Sequence, residues 1–338
     1  MPKEFASKFK IVIAGEEAFS SLWQEGLEQF SDTSPFYTLP VRAYDRLYLG
    51  SSLLHDDSCV FIDGQGKIVA LLLLLLTKNN DVCEYSIHSS WQWGPLFSDQ
   101  GDESTRGELL QAIAEYIRSC AKKQNARAHR VKLSAPTILR GRIAYNIFAE
   151  LGYTEENQIG LVLRLDKGEK ELWSGVRDSY RPLINRANRT YQTHIITKDT
   201  YTHEACEEYR ILHRLAAARE TRVRETFEAM YQMIQDDVAY LVLVREGECT
   251  RGAYFFYIFR DTVFYASAAT DPEIFPSSGV GHLGLWKGIE EARNRRGVYF
   301  DFGLLSKTPT EKEKNIEFFK LGFGGQKVAT FCATKTFV

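Results

Sequence analysis

The sequence has no surplus of positive charge, no long apolar run and no paired-cysteine motif, and each absence removes a class of function. The formal net charge is −2. Sequence-independent affinity for nucleic acid needs many Lys and Arg side chains to displace counterions, so stable DNA binding is not expected and only a local basic face is left open. The most apolar stretch, Ile68-Val69-Ala70 followed by Leu71 through Leu76, is shorter than the roughly 20 residues that cross a bilayer. Gly66 precedes it and Lys78-Asn79-Asn80 follows, so it reads as a strand buried on both faces rather than a transmembrane segment. Met1-Pro2-Lys3-Glu4 leads into no signal core, and a cytoplasmic location is expected. The six cysteines are scattered without CxxC spacing or a Cys/His cluster of zinc type, so reduced thiols and no structural metal are expected. None of the seven histidines is spaced with Ser or Cys as a nucleophile motif, which argues against an acyl-enzyme.

What is present is an internal echo. Phe148-Ala149-Glu150-Leu151-Gly152-Tyr153 returns as Phe319-Lys320-Leu321-Gly322-Phe323. Each follows an amphipathic helix pattern and precedes a β-rich run, Ile159 to Leu165 in one case and Val328 to Thr334 in the other. A helix, a Leu-Gly-aromatic turn and a last strand is how acyltransferase domains of the GNAT type close. Two endings about 170 residues apart therefore imply two such domains. The expected fold class is α/β (α+β), with two GNAT-like mixed-sheet domains in tandem over 1–168 and 169–338. The join is placed at the charged stretch Asp166 to Lys170, and the last strand is allowed to cross to the first domain. In the first half, Val60-Phe61-Ile62 and Lys67 to Thr77 form a hairpin around Asp63-Gly64-Gln65-Gly66. Tyr85 to Trp91 reads as a strand, and Gly141 to Glu150 as a helix. In the second half helices are expected over Leu172 to Tyr191, Glu204 to Ala218, Arg224 to Gln235, Gly281 to Asn294 and Glu311 to Leu321. Strands are expected over Ala239 to Val244, Gly252 to Phe259, Thr262 to Ala268 and Val298 to Phe302.

Three segments of the second half carry a likeness: Leu172-Trp173 with Tyr180 to Ala187; His213 to Arg222 with Thr226-Phe227; and Trp286 to Gly303 with Ile316 to Gly325. With Ser34 to Tyr37 and Trp93 to Leu96, they make the chain resemble the Fem family of peptidoglycan-bridge aminoacyltransferases, which are built as tandem GNAT-like domains. There is no coiled-coil arm, and Gly303-Leu304 stands where the family has paired glycines. The resemblance implies amide formation by direct attack of an amine on an activated acyl group. It implies no cofactor beyond the acyl donor, which is an aminoacyl-tRNA or, less favoured, acyl-CoA. The acceptor is a nucleotide-linked or lipid-linked sugar or peptide of the cell envelope. A CoA-dependent N-acetyltransferase of an amino sugar and a non-catalytic glycan-binding protein are the alternatives.

The candidate site residues follow from this. Lys320 stands where the resemblance places a functional lysine, and a fixed positive charge there would stabilise an oxyanion. A solvated lysine at a helix end is the plain alternative. The first half has Ala149 or Glu150 at that place, which suggests that the first domain is degenerate or binds the acceptor. Asp301 orients a lysine or takes the amine proton, unless it only ties the following loop. Ser278, Gly279 and Gly281, in the run Pro276 to His282 before a helix, would present backbone N–H groups to a donor anion. The run lacks the Arg or Gln that opens a CoA loop. Arg181, Asn185 and Arg189 lie at i, i+4 and i+8 on one helix face, with Arg219 and Arg222 on the next connection. Together they could clamp phosphate or form a solvated face. Tyr37, Arg42 and Trp93 in the first half are expected to touch the acceptor, or else to pack in its core.

Overall fold

Asp63 makes the first-half hairpin turn: its carboxylate accepts the backbone N–H of Gln65 at 2.8 Å and of Lys67 at 2.9 Å, an Asx turn that reverses the chain between two apolar strands. The structure is a computed structural model that describes residues 8–32, 34–87, 90–99, 103–141, 143–274 and 278–337. It divides into one unit of Met1–Gln158 with Ala329–Val338 and a second of Ile159–Val328. Asp166 to Lys170 therefore lies inside the second unit.

The first unit runs β1 (Lys10–Ile13), α1 (Phe19–Gln29), α2 (Leu39–Leu49), β2 (Leu53–Asp56), β3 (Cys59–Ile62), β4 (Ile68–Leu72), β5 (Leu75–Asn79), β6 (Val82–Tyr85), β7 (Gln92–Trp93), β8 (Leu96–Phe97), α3 (Glu103–Gln124), β9 (Ala128–Lys132), α4 (Ala135–Leu139) and β10 (Thr154–Glu155). One sheet has the order β1-β3-β4-β8. The other has the order β10-β18-β9-β6-β5-β2, where β18 (Cys332–Thr336) is the C-terminal strand. The leucine run thus does not form one strand. It breaks at Leu73-Leu74 and serves both sheets, with Leu74 N–H donating to the Ser58 hydroxyl. The strand expected over Tyr85 to Trp91 is not found among the described residues of that stretch, since β6 ends at Tyr85 and β7 begins at Gln92, and residues 88–89 lie outside the described residues. Gly141 to Glu150 does not form the expected helix. Among the described residues of that stretch the helical turn is a 3₁₀ one that begins at Ala149, and Asn146 binds Asn157 and the Cys332 carbonyl instead.

The second unit runs β11 (Gln158–Arg164), α5 (Glu169–Gly175), α6 (Tyr180–Thr190), β12 (Gln192–Ile196), α7 (His203–Ala217), α8 (Arg224–Gln235), β13 (Ala239–Glu246), β14 (Cys249–Phe259), β15 (Thr262–Thr270), α9 (Val280–Asn294), β16 (Tyr299–Leu305), α10 (Glu311–Leu321) and β17 (Gln326–Thr330). Its sheet has seven strands in the order β12-β13-β14-β15-β16-β11-β17. The expected helix over 172–191 is two helices: Val176 is extended, and Pro182, which has no N–H to give a preceding turn, sits in the first turn of α6. A capping box holds the start of α10, with Thr310 and Glu313 accepting each other's backbone N–H. No described helix is long and apolar enough to cross a membrane.

Helix α9 lies close against the sheet. A Cβ on Gly284 would stand 2.0 Å from the Tyr254 ring, and one on Gly288 would stand 2.1 Å from the Phe256 ring. Glycines one turn apart let the helix backbone rest on two aromatic faces within a fully buried core. Gly288→Ala is expected to destabilise the protein by about 1–3 kcal/mol, as overpacking does. A thermal melt of the variant checks this, and an unchanged melting temperature would refute the close-approach account.

Candidate active site

Strands β15 and β16 run parallel, but they pair only at Thr262–Tyr299, Val263–Phe300 and Phe264–Asp301. Beyond that, β15 stays with β14 as far as Thr270, and β16 stays with β11 as far as Leu305. The two strands part, and backbone groups from Tyr265 onward and from Phe302 onward face an opening. Lys320, in the last turn of α10, reaches into it and donates from Nζ to the Phe302 carbonyl at 2.6 Å. Its ammonium lies 5.9 Å from the centre of the Tyr265 ring. Burial pulls the Lys320 pKa down, and the charges of Asp301 and Glu317 oppose that shift.

Asp301 is buried on β16 and accepts the Gly303 N–H at 2.7 Å, so it ties the loop as well as facing the lysine. Glu317 was not singled out from the sequence. It accepts the Ser306 N–H at 2.6 Å and stands one turn before Lys320 on α10, a spacing that could have revealed it. Tyr265 was missed because nothing local marks where two strands separate.

The start of α9 borders the same opening. Gly279 caps it at φ +75°, and a Cβ there would press on the Leu183 carbonyl at 2.9 Å. The Ser278 hydroxyl accepts the Val280 N–H at 3.2 Å. Gly281 faces the Tyr254 hydroxyl and the Phe319 ring at ordinary contact distance. Pro276 and Ser277 lie outside the described residues. The next residue, His282, was not among the candidates. Its ring packs edge-on against Tyr180 at 4.3 Å and Phe319 at 5.1 Å. Burial, with a smaller effect from Arg177, lowers its pKa to about 4.

The arginines divide. Arg181 donates to the Val176 carbonyl at 3.0 Å and pairs with Asp178. Arg222 lies 5.3 Å from the centre of the Phe227 ring and touches His213 and the Met230 sulfur. Arg189 and Arg219 are exposed. Asn185 is also exposed and lines a separate cleft. In the first unit, Tyr37 is buried with its hydroxyl donating to the Gly94 carbonyl. Arg42 is buried on the Trp23 ring at 4.1 Å and pairs with Asp56 at 3.1 Å. Trp93 stacks on Phe36 at 4.1 Å. All three take part in the packing of that unit. His203, Glu207 and Glu228 bring ligand atoms within 4.8 Å of one another, but Arg210 and Arg224 already pair with these carboxylates, so the group carries no metal assignment.

The fold is that of tandem GNAT proteins. The chain is similar to FemX at 13% identity over 96% of both chains, with a TM-score of 0.68. It is similar to L-PGS from Bacillus licheniformis at 14% identity, over 95% of this chain and 93% of that one, with a TM-score of 0.57. It is similar to a tandem GNAT protein from the clavulanic acid biosynthesis pathway at 12% identity, over 96% of this chain and 98% of that one, with a TM-score of 0.54. No protein-family model matches the chain, and no curated protein does. At these identities the likeness is one of fold.

Because the folded state keeps His282 neutral down to about 4 while the unfolded chain protonates near 6.5, the stability tied to the neutral ring is full above 6.5 and is lost as pH falls toward 4. Melting temperature is expected to drop over that window, and His282→Phe is expected to flatten part of the drop. Equal slopes for the two proteins would refute it.

Proposed function

We propose that the second unit is an N-acyltransferase centre, in which an amine attacks an activated acyl carbon held in the opening between β15 and β16. The observation that carries this reading is the half-buried Lys320 ammonium, fixed 2.6 Å from a carbonyl oxygen on the parted strand. In the reaction the amine nitrogen forms a C–N bond, the thioester or ester bond of the donor breaks, and the amine proton passes to the leaving group or to water. No side chain becomes acylated. Lys320 supplies positive charge to the oxyanion as it forms, in a place where water is partly excluded. Asp301 and Glu317 keep that ammonium charged against its burial.

An acyl-CoA donor fits this geometry. The parted strands leave backbone donors and acceptors for the amides of an extended pantetheine arm. The Gly279 turn and the first N–H groups of α9 suit its pyrophosphate. The similar tandem GNAT protein of the clavulanic acid pathway, described in a form without AcCoA, supports this donor. An aminoacyl-tRNA donor is the second reading, supported by the Lys320 position and by the similarity to FemX along nearly the whole chain. In either case the acceptor is an amine on an amino sugar or an envelope precursor, nucleotide-linked or lipid-linked.

Lys320→Ala is expected to lower turnover by about 10²–10³, the usual cost of one oxyanion donor, while the variant stays folded below its melting temperature. Turnover assays with acetyl-CoA or charged tRNA and amino-sugar acceptors would show this, and full activity in the variant would end the assignment. Glu317→Gln removes a carboxylate that raises the Lys320 pKa. The ammonium is then lost at lower pH, so the alkaline limb of the kcat/KM profile is expected to move down. An unmoved limb would separate Lys320 from that titration.

A further inference from the structure

Helices α5, α6 and α9 of the second unit line an open cleft of about 290 Å³. Ligand pockets run from roughly 300 to 1,000 Å³, so this one suits a single small ring. Two indoles form its apolar wall. Trp286 is buried, Trp173 is partly exposed, and their ring centres lie 5.0 Å apart at 64°. The Trp286 N–H donates to Glu290 at 2.8 Å, and Lys287 pairs with the other oxygen of Glu290 at 2.8 Å. The Glu290 carboxylate is therefore oriented from both sides. Asn185 and Asn188, on consecutive turns of α6, also line the cleft. Their amides make no hydrogen bond among the described residues, and each offers two donors and an acceptor.

The charges on the lining are Lys170 and Lys287 against Glu169 and Glu290, two of each sign and no net charge. A phosphate or a nucleotide diphosphate would need a positive balance, and a purely apolar ligand would leave the amides unpaired. A ring with an apolar C–H face and polar edges meets both demands, with its face on Trp173 and its hydroxyls on the asparagines. We infer that this cleft binds a neutral pyranose, held between the Trp173 ring and the Asn185 and Asn188 amides. The site stands on its own residues and does not depend on the transfer chemistry at Lys320.

Saturation-transfer NMR on the full chain, with glucose and with N-acetylglucosamine as probes, tests the inference. Ring C–H protons are expected to receive saturation in a titratable way. Trp173→Ala, and separately Asn185→Ala with Asn188→Ala, are expected to weaken binding by at least about tenfold. The asparagines are exposed, so that pair gives a folded control if the tryptophan variant melts early. Lys320→Ala is expected to keep sugar binding intact. Absence of transfer, or transfer unchanged in the asparagine pair, would overturn the assignment. Competition by inorganic phosphate would overturn the neutral class, and loss of binding in Lys320→Ala would place the sugar at the other opening.

Discussion

The separation of β15 from β16 is the constraint on which the second unit turns. Each strand is paired on its far side, to β14 and to β11, and neither is paired to the other beyond Asp301. A buried carbonyl facing such an opening needs a donor, and Lys320 supplies one to Phe302. That contact demands that the end of α10 be held firmly. Phe319 and Phe323, beside the lysine in sequence, are set in a ring cluster with Tyr180 and His282. The aromatic residues of the Phe-Lys-Leu-Gly-Phe phrase thus fix the helix end, and the lysine between them is left to face the opening. An ammonium in that position is costly unless carboxylates offset its desolvation, which gives Asp301 and Glu317 a purpose beyond the loop N–H groups they accept.

A second consequence runs through α9. Because Gly284 and Gly288 allow the helix to lie on Tyr254 and Phe256, its first turn comes beside the Tyr254 hydroxyl and Phe319. Elsewhere on the same helix, Trp286 meets Trp173 of α5. One helix therefore has its first turn beside Tyr254 and Phe319 and lines the neutral, amide-bearing cleft farther along its length. The two sites differ in electrostatics although they share a scaffold. One is dominated by a single partly buried cation, and the other has balanced charge and unpaired amides.

How far the sequence disclosed this depended on whether the signal was local. Helices α8 and α10 run over the residues expected of them, Arg224–Gln235 and Glu311–Leu321. The meander of β13, β14 and β15 was legible from its turns. The failures involve distant partners. Asn146 turns its side chain to Asn157 and Cys332, residues remote in the chain, and with it the pattern at 141–150 gives up the helix. Six consecutive leucines carry no period, so nothing in them marks the break at Leu73-Leu74 that divides the run between two sheets. Lys320, singled out through the family resemblance, and Asp301, singled out at the end of a strand, do come together beside the parted strands. The site was not legible at Tyr265, whose significance comes from a strand that is absent beside it. For Tyr37, Arg42 and Trp93 the family resemblance suggests acceptor contact, with core packing as the alternative; each has packing partners, Arg42 between Trp23 and Asp56.

The two Leu-Gly-aromatic phrases show how one pattern can serve different physics. Gly152 ends a 3₁₀ turn in the left-handed region at φ +72°, where a side chain would be strained. Gly322 has an ordinary helical φ of −71°, and its need for glycine is steric, since a Cβ would stand 2.0 Å from the Tyr180 ring. In the first unit a short turn carries Glu150, which accepts a hydrogen bond from Tyr145 at 2.7 Å. In the second, a full capped helix carries Lys320 into the opening. A repeat in sequence therefore marks a shared way of ending a domain. At the position just before the Leu-Gly pair the two copies have opposite charge, Glu150 in one and Lys320 in the other.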